Sequence, residues 1–205
     1  IKDILCDKLK VKGVSCGFNY RFGTRASGND KLLLELGGRY GYETSVVEPV
    51  KVGSEIVSST AIRNYIEAGE IVKANEFLGR PFSISGIVVR GNHIGSTIGF
   101  PTANTKLVSN KVAPMNGVYF TRTSVDGSTY CSISNVGTKP TIGEYDKSIE
   151  THIFGINKEL YGREIIIEFL ELHRQEVKFE TVELLTEHIV DDVESARRFH
   201  GVTEL

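Results

Sequence analysis

The pattern of apolar and polar residues differs between the first 79 residues and the rest of the chain. In the first part, residues 11–17 and 42–50 are short apolar runs, each typical of a strand. Between them lies a stretch whose apolar residues recur at helical spacing, at Leu32, Leu33, Leu36 and Tyr40. Strand, helix and strand in this order predict a βαβ unit with parallel strands, which binds ligands at the carboxyl ends of the strands.

Two further helix patterns follow, at residues 61–68 and 70–78, and Ser59 is the predicted N-cap of the first. The sequence Gly-Arg-Pro at 79–81 should end the second helix. We therefore predict a domain boundary here, with an α/β domain at residues 1–79 and a different domain at 80–205. Residues 1–9 resemble the end of a helix, and we expect the chain to be a piece of a longer protein.

The second part contains strand patterns without helices between them, at residues 82–90, 117–123, 129–136, 149–156 and 163–172. Asp126-Gly127 separates two of them and is a hairpin signal. This order predicts an antiparallel barrel or sandwich. A helix at 181–199 follows, with an apolar stripe at Val182, Leu185, Ile189, Val193 and Ala196. The overall class is therefore α+β.

Composition narrows the possible partners. The 24 basic and 26 acidic residues nearly balance, which argues against duplex DNA or another strongly charged partner. Cys6, Cys16 and Cys131 are widely spaced, so neither a disulfide framework nor a zinc site is indicated, and we expect a cytoplasmic location. No apolar run approaches the roughly 20 residues of a membrane span, so no membrane partner is expected.

A glycine-rich segment at residues 91–104 is the main candidate for chemistry. Gly91, Gly95 and Gly99 permit positive φ and let backbone N–H groups approach an anion. If the segment after Pro101 is extended, the oxygens of Thr102 and Asn104 lie side by side, and such neutral oxygens suit Mg²⁺ bound to nucleotide phosphates. The alternative is a glycine-rich β-loop without a ligand.

A second candidate lies in the strand pattern at 149–156. Alternation places Glu150 on one face with His152, Phe154 and Ile156, so its carboxylate should be partly desolvated, as suits a general base. The alternative is a surface carboxylate at the start of a strand. We interpret His152 as a hydrogen-bonded barrel histidine rather than an acid or a metal ligand.

These segments resemble riboflavin kinases, in the motifs G-x-x-x-G-x-x-x-G-F-P-T-A-N and E-T-H-I-F and in shorter matches across residues 80–180. The resemblance implies a Greek-key barrel in which Thr102 and Asn104 hold Mg²⁺ against ATP and Glu150 is the catalytic base. It further implies nucleotide contacts from Gly91, Gly95, Gly99, Asn135 and Lys139. It implies flavin contacts from Arg174 and Glu176, with a loop near Arg174 that folds over the flavin; the alternative is that Arg174 and Glu176 face solvent. Ser96 departs from the family, which commonly has Arg there.

The first part is similar to the FMN adenylyltransferase module that bacteria fuse to riboflavin kinase, in G-F-N-Y-R-F-G at 17–23 and S-S-T-A-I-R at 58–63. The resemblance implies an incomplete Rossmann-like nucleotidyltransferase domain whose ATP phosphates meet Ser58, Ser59, Thr60 and Arg63. A helix N-terminus is itself a phosphate site, although plain capping is the alternative. The G-x-F-D-G-x-H-x-G-H loop of that module is absent from the sequence, so we expect no adenylyl transfer by this chain.

Together the resemblances predict a kinase that transfers the γ-phosphate of Mg-ATP to riboflavin to give FMN, in a parent protein that also makes FAD. Its partners would be small-molecule substrates, and no obligate protein partner is implied. The alternative function is a non-catalytic flavin-binding or nucleotide-binding module. A single-stranded nucleic-acid barrel is disfavoured because the sequence has no basic groove with interleaved aromatic residues.

Overall fold

The structure is a computed structural model that describes residues 1–91, 95, 99–106, 112–141, 144–156 and 158–202, with the backbone alone at 106, 139–141 and 144–146. The chain forms two compact units, Ile1–Val57 and Ser58–Leu205. No helix in the described ranges has the length and apolar character needed to cross a membrane.

The first unit contains the predicted βαβ arrangement. Strands β1 (Gly13–Gly17) and β4 (Glu43–Val47) pair in parallel, and helix α1 (Asp30–Tyr40) connects them. A π-helix at Lys2–Lys8 precedes β1. Two short antiparallel pairs complete the unit, β2 (Arg21–Phe22) with β3 (Gly28–Asn29) and β5 (Lys51–Val52) with β6 (Glu55–Ile56).

Helix α1 has defined ends and a small core beneath it. The side-chain oxygen of Asn29 accepts the N–H of Leu32 at 2.9 Å, and Gly41 ends the helix with φ of 77°. The left-handed backbone conformation at this helix end favours glycine. The Tyr42 hydroxyl donates to the carbonyl of Leu33 at 3.0 Å, and both residues pack with Cys16.

The second unit begins with helices α2 (Ser59–Glu67) and α3 (Ile71–Leu78). The hydroxyl of Ser58 accepts the N–H of Ala61 at 3.1 Å, so Ser58 is the N-cap and the prediction of Ser59 is wrong by one residue. The reason is that α2 begins two residues before the first apolar position of its pattern, Ala61, and therefore includes Ser59 and Thr60.

Helix α3 is attached to the barrel by the hydrogen bonds of Asn75 and by the packing of Ile71. The Asn75 amide donates to the carbonyl of Phe169 at 2.9 Å and accepts the N–H of Phe82 at 2.7 Å. Ile71, 1% exposed, packs within the main core of the barrel. Helices α2 and α3 therefore belong to the compact unit of the barrel, whereas the boundary after residue 79 stays a prediction about domains.

Six antiparallel strands close the barrel in the spatial order β10-β11-β8-β7-β12-β9. Their bounds are β7 Phe82–Val89, β8 Ala103–Lys106, β9 Gly117–Val125, β10 Ser128–Thr141, β11 Glu144–Ile153 and β12 Glu164–Gln175. Strands β9, β10 and β11 are sequential neighbours, and β12 lies beside β9, which is the Greek-key order that the family resemblance implies. Asp126 and Gly127 turn the β9–β10 hairpin with positive φ at both positions.

The barrel interior combines an apolar core with a row of hydroxyl groups. Tyr119, Ile165, Ile167 and Phe169 are fully buried on the apolar side. The hydroxyl row, defined as Thr123, Ser132, Thr121, Ser134 and Thr151, is equally buried and is linked in that order at 2.8–2.9 Å. Buried hydroxyls need such partners, so the row satisfies its own hydrogen bonds inside the barrel.

Helix α4 (Val182–His200) covers the outside of the barrel. Val193 and Ala196 pack against Val118, Phe120 and Ile133, which explains why both faces of β9 are buried near its start. Thr181 caps the helix by accepting the N–H of Leu184 at 3.3 Å. The predicted terminal helix is confirmed.

Candidate active site

Two cavities open beside the segment that follows the glycine-rich stretch. The larger, of about 400 Å³, has walls that include Val88, Pro101, Thr102, Thr151, Leu160 and Tyr161. The smaller, of about 240 Å³, has walls that include Phe100, Thr102, Asn135, Glu150, His152 and Arg174. Thr102 lines both cavities, so it stands where they meet.

Thr102 and Asn104 lie side by side, as expected for an extended segment. The Asn104 amide donates to the Thr102 hydroxyl at 3.4 Å, and Asn104 is the second residue of β8. Asn104 is only 7% exposed. These two neutral side chains could hold a Mg²⁺ ion that also binds phosphates, since Mg²⁺ takes few protein ligands. In the described ranges no group of three or more His, Cys, Asp or Glu side chains could hold a metal.

Gly91, Gly95 and Gly99 each require glycine, but for different structural reasons. Gly99 has φ of 90°, which favours glycine. A Cβ on Gly91 would overlap the side-chain amide of Asn104, and a Cβ on Gly95 would overlap the carbonyl oxygen of Phe100. Gly91 and Gly95 therefore allow close packing of the segment itself, and their contact with a nucleotide stays a prediction.

Strand register places Glu150 between two asparagines. Glu150 of β11 is opposite Asn104 of β8 on one side and opposite Asn135 of β10 on the other. Side chains directly opposite one another in antiparallel strands share a face, with Cβ atoms about 5 Å apart. Glu150 is half-buried and lines the smaller cavity with Asn135. Three adjacent strands thus bring a carboxylate and two amides into one row.

The predicted strand at 149–156 is wrong at its end. Strand β11 ends at Ile153, and residues 154 and 155 form a turn with positive φ at Gly155. Glu150 and His152 share a face, as expected, and line the smaller cavity, but Ile156 lines the larger one. Alternation cannot extend through a turn, which is why Ile156 leaves the shared face.

His152 is hydrogen-bonded, as expected. Its Nδ1 lies 2.9 Å from the carbonyl oxygen of Pro101, and its ring meets the rings of Phe100 and Phe154 edge-on. Burial lowers the pKa of His152, the bond to Pro101 opposes that change, and the charge of Arg197 adds to it.

Arg174 lies near the end of strand β12, two residues before an irregular segment at residues 176–181. That this nearby loop folds over the flavin stays a prediction. The strand is longer than its apolar pattern because Arg174 and Gln175 continue its pairing with β9. Arg174 is held by Asp192 of helix α4 through two hydrogen bonds, from Nε at 2.8 Å and from Nη2 at 2.6 Å. Arg174 therefore does not simply face solvent, because it also lines the smaller cavity.

The sequence analysis missed Asp192. The residue is 6% exposed, lines the smaller cavity, and also contacts His173, whose Nε2 lies 3.3 Å from Oδ1. A signal was present, because position 192 is three residues after Ile189 and next to Val193, within the predicted apolar stripe of the helix. A charged residue in such a stripe needs a buried partner.

The remaining predicted site residues are not members of this row, or lie outside the described residues. Glu176 is exposed and accepts the amide of Asn116 at 2.9 Å. The side chain of Lys139 lies outside the described part of the chain, as does Ser96. Ser58, Ser59, Thr60 and Arg63 are exposed around the start of α2, and none of them lines either cavity.

Comparison with known proteins gives two family matches. The riboflavin kinase family model matches residues 78–200, and the FAD synthetase model matches residues 1–61. The bifunctional riboflavin kinase/FMN adenylyltransferase of Escherichia coli K12 is 35% identical over all of this chain and 65% of the relative. The protein of the same name from Bacillus subtilis 168 is 37% identical over 93% of this chain and 61% of the relative.

The crystal structure of a macrolide-efflux protein from Streptococcus pneumoniae has a TM-score of 0.84 and 30% identity, covering 96% of this chain and 63% of that one. The chain thus spans somewhat less than two thirds of the relatives that it matches. Since the riboflavin kinase model matches more than half of its residues, the chain belongs to the riboflavin kinase family.

Proposed function

We propose that this chain is a riboflavin kinase that transfers the γ-phosphate of ATP to the ribityl 5′-hydroxyl of riboflavin. The observation that carries the proposal is the row Asn104–Glu150–Asn135 across three neighbouring strands, next to Thr102 at the junction of two cavities. A phosphoryl transfer needs a donor and an acceptor that meet at one point. Two cavities sharing Thr102 fit that requirement.

The larger cavity fits the nucleotide and the smaller one fits the flavin. The smaller cavity is lined by apolar side chains such as Phe100, Val118 and Ile133, which suit a flat aromatic ring system. The guanidinium of Arg174, fixed by Asp192, forms one wall and is available to a polar edge of the ring. Gly91, Gly95, Gly99 and Lys139 are proposed nucleotide contacts, and Glu176 is a proposed flavin contact. Asn135 lines the smaller cavity beside Glu150, so its proposed contact is with the nucleotide phosphate that reaches the flavin.

In the proposed reaction, the riboflavin hydroxyl oxygen bonds to the γ-phosphorus while the bond from that phosphorus to the β,γ-bridging oxygen breaks. The hydroxyl proton moves to the Glu150 carboxylate, and ADP leaves with the bridging oxygen. Thr102 and Asn104 would hold Mg²⁺, which neutralises phosphate charge when bound. The half-buried setting of Glu150 keeps its carboxylate among amides and aromatic rings, where a proton acceptor is needed.

We further propose that residues 1–61 are part of an FMN adenylyltransferase domain, as the names of the relatives and the FAD synthetase match support. Ser58, Ser59, Thr60 and Arg63 are the proposed phosphate contacts of that domain. The proposal also includes a cytoplasmic location, supported by three free cysteines. Small-molecule substrates are the only partners that it requires.

The experiment is an incubation of the purified chain with riboflavin and Mg-ATP, followed by chromatographic separation of riboflavin, FMN and FAD. FMN is the expected product. The variant Glu150→Gln should lower kcat by about 10²–10⁴, the usual contribution of a general base. Glu168→Gln is the matched control, because Glu168 pairs with Arg122 at 3.1 Å on the outside of the barrel.

Each outcome has a distinct meaning. Riboflavin binding without FMN would make the chain a binding module, and unchanged kcat in Glu150→Gln would remove Glu150 from the role of base. FAD among the products would assign adenylyl transfer to this chain as well.

A further inference from the structure

The pairing of strand β8 with strand β11 includes Ala103 but does not reach Thr102. Strands β8 and β11 pair from Lys106 opposite Ser148 to Ala103 opposite Thr151. Pro101 lies two residues before Ala103 in the chain, has no N–H and cannot donate a hydrogen bond to a neighbouring strand. The backbone ladder therefore ends on one side of Thr102, and the other side needs a different support.

A side chain supplies that support. His152 follows Thr151 on β11, and its Nδ1 lies 2.9 Å from the carbonyl oxygen of Pro101. A carbonyl oxygen can only accept, so Nδ1 carries the proton, and in the neutral ring Nε2 carries the lone pair. Thr102 is thus held between two contacts with one strand, the Ala103–Thr151 pair and the Pro101–His152 bond.

Packing fixes the direction of the His152 ring. Phe100, which precedes Pro101, meets the ring with centroids 5.6 Å apart, and Phe154 meets it with centroids 5.4 Å apart. Both contacts are edge-on, an arrangement that aromatic rings prefer. A side chain held from two sides places its donor more accurately than a free one, as a supporting partner of a ligand residue must.

We propose that His152 is a positioning residue of the kinase, which holds Thr102 at the junction of the two cavities by anchoring the carbonyl of Pro101. The inference rests on the proposed kinase function and names a residue that acts through Thr102. His152 takes no proton in the reaction and binds no metal. Its contribution is to the binding of Mg-ATP, because Thr102 is the side chain that it places.

Two substitutions of His152 distinguish the Nδ1 bond to Pro101 from a contact made by the other ring nitrogen, Nε2. In His152→Asn the amide nitrogen occupies a position like that of Nδ1, and in His152→Gln it occupies a position like that of Nε2. We expect His152→Gln to raise the KM for Mg-ATP by about tenfold, the lower end of the loss seen when an orienting partner is removed. His152→Asn should retain most of the affinity, while both variants lose ring packing and melt at a lower temperature.

His200 provides a matched control within the same unit. Its Nε2 lies 3.1 Å from the carbonyl oxygen of Ser132, and its ring also meets Phe154, but it has no contact with residues 100–104 among those described. His200→Asn removes a histidine–carbonyl bond of the same kind. We expect a lower melting temperature and an unchanged KM for Mg-ATP.

The outcomes distinguish the inference from the function on which it rests. If the wild-type chain makes no FMN, the proposed function fails. If it makes FMN but His152→Gln keeps the KM for Mg-ATP while His152→Asn raises it, the Nε2 contact is the important one and the inference is overturned. An equal rise in His200→Asn would also overturn it, since general destabilisation would then explain the change.

A measurement on the wild-type chain needs no variant to fold. The ¹⁵N shifts of the imidazole nitrogens report the tautomer, and the inference requires the Nδ1–H form for His152 at neutral pH. An Nε2–H tautomer would remove the bond to Pro101 and overturn the inference.

Discussion

Residues 58–63 and residues 101–104 each present Ser or Thr hydroxyls that the sequence predicts as contacts for ATP phosphates, yet they differ in structure. In the first segment the hydroxyls are exposed at the start of a helix, and Ser58 uses its oxygen to cap that helix. In the second, Thr102 lines two cavities, and buried Asn104 lies opposite Glu150. The hydroxyl groups are chemically alike, so the difference lies in their surroundings.

That difference shows what a motif needs to become a site. A helix start offers N–H groups and a partial positive charge, but solvent competes for both. Residues 101–104 are joined to strand β11 at two places, through the Ala103–Thr151 pair and through the bond from His152 to Pro101. They therefore have a fixed position beside the Glu150 carboxylate. We therefore expect the chemistry of this chain to depend on residues 101–104 and to be insensitive to residues 58–63.

The largest difference expected between the two segments comes from one kind of substitution, Thr to Val, made in each of them. Thr102→Val removes one oxygen at the cavity junction and should lower kcat/KM for FMN formation by about 100-fold, as for a metal-site residue. Thr60→Val removes an exposed hydroxyl and should leave FMN formation unchanged. Steady-state kinetics with varied Mg-ATP tests the pair. Equal losses at the two positions would break the distinction between the segments.

Gly91→Ala should have the next largest effect. Its new Cβ would overlap the side chain of Asn104, which must then move from its place opposite Glu150. We expect about a tenfold loss of kcat/KM together with a lower melting temperature, because overpacking costs about 1–3 kcal/mol. Gly38→Ala is the control, since a Cβ there meets nothing within 4 Å. Wild-type kinetics in Gly91→Ala would show that Asn104 is not needed in its observed position.

Ser58→Ala sharpens the comparison from the side of the first segment. Loss of the bond from the Ala61 N–H should lower the free energy of unfolding of the unit by about 1 kcal/mol, as for other N-cap serines. Thr181→Ala, at the cap of helix α4, should give a similar loss. Urea denaturation measures both. A fall in FMN formation in Ser58→Ala, with stability unchanged, would assign Ser58 to the kinase site.

The smallest expected effect is a dependence of stability on pH. Burial lowers the pKa of His152 and of His200 below the ordinary 6.5. The unfolded chain then takes up protons before the folded chain does, so this stability is present above pH 6.5 and is lost as the pH falls through the folded values. The urea midpoint should decrease from pH 7.5 to pH 5.5, and His152→Asn should reduce the decrease. If the urea midpoint of His152→Asn decreased between pH 7.5 and pH 5.5 as much as that of the wild-type chain, His152 would be excluded as a contributor.

The sequence predicted those elements whose signal is local. Helix α1 was expected from its apolar spacing, and the β9–β10 hairpin from Asp126-Gly127; both are confirmed. Strand β8 was missed because its four residues, Ala103–Lys106, are too few for a period to show. Strand β11 was predicted too long at its carboxyl end because alternation carries no signal for the turn at Gly155.

The individual site residues were predicted, but their arrangement was not. Glu150, Asn104 and Asn135 stand in motifs that can be recognised in the sequence, whereas their row depends on the register of three strands. Register arises from pairing between distant segments, which no local pattern contains. For Asp192 the apolar stripe of its helix carried a local signal, but its partner Arg174 could not be predicted, since only the packing of α4 against β12 brings the two together.

The two hydrogen bonds of Asn75 determine where the chain can be cut. A fragment that begins at residue 80 would leave the N–H of Phe82 and the carbonyl of Phe169 without their partner and would expose the place that Ile71 fills in the barrel core. A fragment that begins just before Ser58 keeps all three contacts and the helix cap. A kinase fragment for expression or crystallisation should therefore include both helices, although the riboflavin kinase match begins only at residue 78.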